Sequence, residues 1–145
     1  MPDWRLTTGS APHPAHAILL AFPIALFSSA VVTDIAYLRT AQLQWTNFSA
    51  WLISGALLFG GLVLAWALIS LALGWRGAER IRRGIYAGVL ALMWVLGLVN
   101  IFKHSQDGWS SVETFGLVLS ILCALLALAA GVLAFSNLGE REIAR

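Results

Sequence analysis

Four apolar runs, each long enough to cross a bilayer, fill most of this 145-residue chain. They lie at about 17–38, 49–73, 84–102 and 112–135. A helix needs about 20 apolar residues to cross a hydrocarbon core of ~30 Å. In lipid every backbone N–H and C=O must be satisfied internally, which leaves helices and closed barrels. Continuous runs of this length specify helices. Composition closes the alternative of a water-soluble fold. The chain is 59% hydrophobic and 11% charged, with a mean hydropathy of +0.82. Soluble domains carry about 25% charged residues. The expected fold is therefore all-α: one integral membrane domain spanning 1–145, a four-helix bundle with lipid as its solvent.

The first run is not read as a cleaved signal. Its apolar stretch exceeds the roughly 7–15 residues of a signal h-region, and no clear cleavage site follows it. The connections "RTAQLQWTNF", "GWRGAERIRR" and "KHSQDGWSS" are short and polar. Short loops join antiparallel neighbours, so the expected topology is up-down-up-down. Ser110 with Glu113 reads as a capping box for the fourth helix. Asn47 or Thr46 is the expected cap of the second. Gly74 and Gly77 break the chain after the second helix, and Gly139 follows the fourth.

Orientation follows the basic residues. Placing the N-terminus in the cytoplasm puts Arg5, Arg76, Arg80, Arg82, Arg83, Arg141 and Arg145 inside, with Arg39 and Lys103 outside. This bias predicts a bacterial inner-membrane protein with both termini cytoplasmic. Trp45, Trp51 and Trp109 then mark the outer interface, and Trp75 and Tyr86 the inner one. The pI near 9.2 arises from these topology-setting arginines. No basic stripe with interleaved exposed aromatics is present, so nucleic acid is not an expected partner. The single cysteine, Cys123, lies in an apolar run and reads as a small buried side chain.

Helices in lipid associate through close packing of small residues. The fourth helix carries such a stripe: Gly116, Ser120, Ala124, Ala127, Gly131 and Ala134. The third opens with Gly84 and Gly88. These are the expected packing positions, within the bundle or against another membrane subunit or a second copy.

The first span holds most of the candidate chemistry. In "PHPAHAILLAFPIALFSSAVVTDI", Pro14 suits the first helical position and His13 the N-cap. Pro23 removes the hydrogen bond to the Leu19 carbonyl and is expected to kink the helix. His13 and His16 lie three apart on the first turn and are candidate cofactor ligands for a haem or a metal ion. Two ligands fall short of the usual three or four of a metal site. His104 ends the third span on the opposite membrane face, so it cannot share a haem with either. Asp34 is a costly residue to carry in a span. It lies about one turn from Arg39, near the outer interface, where it is expected to reach water or pair with Arg39. Asn100 is the expected hydrogen-bond partner across the bundle. No nucleotide loop, HExxH motif or nucleophile elbow occurs, and no catalytic set is assigned.

"HPAHAILLAFPIALF" followed by "DIAYL" resembles the bacterial membrane proteins catalogued as domain of unknown function 2231. His13, Pro14, His16, Phe22, Pro23, Ile24 and Asp34 match that family's opening pattern. The stretch "WTNFSAWLISGALLFGGLVLA" is also similar. Ala17 and Ala21 depart from it, standing where a second proline and a third histidine are common. The C-terminal half departs further. The resemblance implies a four-helical membrane protein near electron-transfer partners. Three functional readings follow: a non-catalytic subunit, anchor or accessory of a larger, possibly redox, assembly; a haem- or metal-binding electron carrier using His13 or His16; and a small transporter or channel using Asp34 and Asn100.

Overall fold

The computed structural model describes residues 13–73, 80–106 and 112–136. Within them lie four helices: α1 (Pro14–Thr40), α2 (Leu43–Leu73), α3 (Arg80–His104) and α4 (Thr114–Phe135). All four are long and apolar enough to cross a membrane. Each helix packs against the next in sequence, and α4 closes the ring against α1. The result is an up-down-up-down bundle in which α1 faces α3 across the diagonal.

The buried positions of α1 are His16, Leu20, Pro23, Phe27, Ala30 and Asp34. Their steps alternate between four and three residues. That is the spacing of a left-handed bundle with knobs-into-holes packing. On α3, half-buried Tyr86 begins the same pattern, continued by buried Leu90, Met93, Gly97, Asn100 and His104. Every member of the α3 series lies 70 positions beyond its α1 counterpart, an offset seen directly in the contacts His16–Tyr86 and Asp34–His104. The two diagonal helices therefore run parallel and in register. Leu20, Phe27, Ile53, Val63, Leu90 and Met93 fill the centre and are fully buried. Leu58, Leu62, Ile69, Val32 and Phe102 point outward. Large apolar side chains thus face lipid, while the seam mixes them with small and polar residues.

Four local expectations need correction. First, α2 starts at Leu43, well before the expected 49, leaving Ala41 and Gln42 between α1 and α2. Thr46 and Asn47 therefore lie inside the helix rather than at its N-cap. The polar stretch continues the seam, because Thr46 and Ser49 are both fully buried. The tight connection forces Ala41 into the left-handed region (φ 53°), where its N–H donates to the Tyr37 carbonyl at 2.8 Å. Second, Glu113 is itself the N-cap of α4, with no side-chain capping bond. Its backbone carbonyl accepts from the Gly116 N–H at 2.9 Å. Ser110 lies outside the described residues, as do Gly74, Gly77, Gly139, Trp75 and Trp109. Third, Tyr86, expected to mark the inner interface, turns toward α1 and bonds to His16. Fourth, a methyl group added at Gly84 or Gly88 would meet nothing within 4 Å. Both fall off the 86-90-93-97 seam, so a packing role for them is one against another subunit or a second copy rather than within the bundle. The close approach on α3 is at Gly97, where an added methyl would lie 2.9 Å from Leu57 and 3.0 Å from Phe27. Gly116, Ser120, Ala124, Ala127 and Gly131 all lie on the buried face of α4.

Candidate functional site

The Asp34 side chain ends inside the bundle, fully buried, and every helix contributes to its surroundings. Oδ1 accepts from the Ser49 hydroxyl of α2 and lies 2.9 Å from His104 Nε2 of α3. Oδ2 accepts from the Ser120 hydroxyl of α4 at 2.6 Å. Behind Ser120, the Asn100 amide donates to its oxygen at 2.9 Å. Behind Ser49, Thr33 Oγ1 lies at 2.6 Å. Ser49, Asn100, His104 and Ser120 are all at zero exposure. The position follows from local sequence: Asp34 and His104 occupy equivalent seam positions near the ends of two parallel helices. Asn100 and Ser120 face each other on neighbouring antiparallel ones.

Hydrogen-bond direction fixes most of the protons. His104 Nδ1 lies 3.0 Å from the Asn100 carbonyl. A carbonyl only accepts, so Nδ1 carries a hydrogen and donates. One proton then occupies the line between His104 Nε2 and Asp34 Oδ1. Whichever atom holds it, the pair has no net charge. That removes the cost of an isolated charge in the membrane, at least several kcal/mol on the order of insertion scales. The Asn100 side-chain carbonyl is buried without a partner.

These contacts revise two expectations. Asp34 turns inward to His104, while Arg39 is exposed. The reason is the seam: residue 34 closes the 16-20-23-27-30-34 series, whereas residue 39 lies outside it. Asn100 reaches Asp34 through Ser120 rather than directly. His104 was the residue missed. Its signal was its place at i+4 from Asn100, at the same end of a parallel span as Asp34.

A second polar layer lies at the other end, with His16 and Tyr86 five helical turns before Asp34 and His104. At ~1.5 Å per residue the two layers are about 27 Å apart, close to the hydrocarbon thickness. His16 Nε2 lies 2.7 Å from the Tyr86 hydroxyl, and His16 meets the Trp66 ring edge at a centroid distance of 5.5 Å. His16 is 7% exposed, and its Nδ1 has no partner. His13 is exposed, N-caps α1, and accepts from the Ala15 N–H at 3.2 Å through Nδ1. Its ring lies 5.6 Å from that of Trp66. The two histidines share a neighbour in Trp66. Among the described residues no three His, Cys, Asp or Glu side chains group as a metal site. Replacing Tyr86 with phenylalanine is expected to cost about 0.5–1.5 kcal/mol. Thermal unfolding of the purified protein in detergent checks this value.

The family model described as predicted membrane protein (DUF2231) matches residues 12–135. No curated protein and no solved structure matches the chain.

Proposed function

Because the chain belongs to the DUF2231 family of predicted membrane proteins, we propose that it serves as a non-catalytic subunit, anchor or accessory of a larger membrane assembly. One observation carries this reading. The Asp34 carboxyl group in the spans is engaged by Ser49, His104 and Ser120 from the other three helices, at zero exposure. A carboxylate that moves ions or protons needs a route to solvent. This one joins four helices. The arginine bias supports placement in a bacterial inner membrane with both termini cytoplasmic. A redox character for the assembly rests on the family resemblance alone.

Affinity purification from native membranes in mild detergent tests the proposal. The expected result is a stoichiometric membrane partner identified by mass spectrometry, carrying an electron-transfer cofactor if the assembly is redox. Purification of the chain alone overturns it.

A second reading, a haem or metal ligand at the inner end, is favoured by the unpartnered Nδ1 of buried His16. The donor set is thin, since His16 Nε2 is spent on Tyr86 and His13 Nδ1 on the helix cap. An absorption spectrum and metal analysis of the same sample decide it. A Soret band or stoichiometric metal supports this reading, and the absence of both removes it.

A further inference from the structure

We propose that the outward face of α1 is an interface with a second copy of this chain, closed at Ser29. Ala21, Ala25, Ser28 and Ser29 are all exposed on that face. Ala21, Ala25 and Ser29 follow one another at four-residue steps and so share one side of the helix. The stretch covers about 12 Å of α1. Its one large exposed side chain, Phe22, is stacked on Phe59 of α2 at 4.0 Å, which leaves the small residues uncovered. The other helices differ at this depth. Leu58 of α2, Val95 of α3 and Leu128 of α4 turn large apolar side chains outward. Ala25 lies midway between the His16 and Asp34 layers, so the patch sits near the centre of the hydrocarbon.

Small residues only permit a close approach. The Ser29 hydroxyl supplies a reason for one. Among the described residues it makes no hydrogen bond, whereas Ser28 beside it donates to the Ile24 carbonyl at 2.7 Å. Exposure from the bundle at this depth is burial in hydrocarbon, where an unpaired hydroxyl carries a free-energy cost. The partner that relieves it must bring a polar group to the same depth on a small-faced helix. A second copy does so. Copies of one chain insert with the same orientation. Around a two-fold axis along the membrane normal, Ser29 of each copy therefore meets Ser29 of the other. A hydroxyl both donates and accepts, so it pairs with its own image. Ala21 and Ala25 let the two backbones come within reach. Gly84 and Gly88 on α3 carry no polar side chain to be matched.

Cysteine cross-linking of the full-length protein in native membranes tests this. Oxidation of Ser29→Cys or Ala25→Cys is expected to give a disulfide-linked dimer of this chain. Leu58→Cys, Gly88→Cys and Leu128→Cys, on the other three helices, are expected to give none. Cys123 is fully buried and adds no background. Energy transfer between labelled copies in vesicles measures the association itself. Ala25→Leu is expected to abolish it. Ser29→Ala is expected to weaken it about threefold, the equivalent of an average interhelical hydrogen bond. Thermal melts establish that each variant remains folded. A dimer recovered without any other protein supports this interface while counting against the larger assembly, so the two readings fail separately. Absence of the Ser29→Cys dimer, cross-linking through Gly88→Cys or Leu58→Cys instead, or capture of a different protein at Ser29→Cys overturns the proposal. So does undiminished association of folded Ala25→Leu or Ser29→Ala.

Discussion

Replacing His104 with alanine is expected to destabilise the bundle by on the order of 3–5 kcal/mol, the cost of breaking a buried ionisable pair by removing one partner. The alanine leaves Asp34 Oδ1 with the Ser49 hydroxyl as its one described donor. It also empties one of the larger fully buried side-chain volumes. Ordinary interhelical hydrogen bonds in membrane proteins average only about 0.6 kcal/mol. The size of the loss therefore separates a carboxylate that depends on His104 from a merely polar contact. Unfolding of purified protein by increasing detergent denaturant, followed by circular dichroism, gives the value. His104→Gln, whose amide retains a donor, is expected to lose less.

The next largest effect is expected at Gly97. Gly97→Ala is expected to cost about 1–3 kcal/mol, the range for overpacking a tight core. The added methyl would lie 2.9 Å from Leu57 and 3.0 Å from Phe27. Phe27 is fully buried in the core and has little room to move. Gly88→Ala is the matched control, because nothing lies within 4 Å of the added methyl. It is expected to gain up to about 1 kcal/mol from helix propensity. The same unfolding assay compares them, and a similar response at both positions would contradict the packing described.

The four spans were legible because lipid imposes a length and composition that no soluble helix needs. Topology followed from loop length. The interior was harder to see, for a physical reason. In water a helix marks its buried face by hydrophobicity. In this bundle both faces are apolar, and the buried seam is distinguished by small and polar residues at alternating three- and four-residue steps. Thr46 and Ser49 belong to that seam, but beside Trp45 and Asn47 they look like a loop. Gly84 and Gly88 have the familiar four-residue spacing, yet they fall off the seam, and the isolated Gly97 is the residue that permits close contact. Asp34 stood out at once as an expensive group. Its partner did not, because Arg39 was near in sequence whereas His104 is near only in the folded chain. The 70-residue offset between α1 and α3 links them, and it appears once their seams are aligned. The first-span histidines resembled a ligand pair by spacing. Their assignments to a helix cap and a tyrosine bond depend on contacts that spacing does not contain.

A double-mutant cycle on Asp34 and His104 tests the central claim most directly. The claim is that the buried carboxylate serves to join the helices. Asp34→Leu, His104→Leu and the double variant are compared with the unsubstituted protein by unfolding in detergent. Each single variant leaves one member of the pair buried without the other, and the double variant removes both. The account predicts that the double variant loses much less stability than the sum of the singles, with a coupling of at least about 1 kcal/mol. Additive losses would mean that Asp34 and His104 do not depend on each other, and would contradict it.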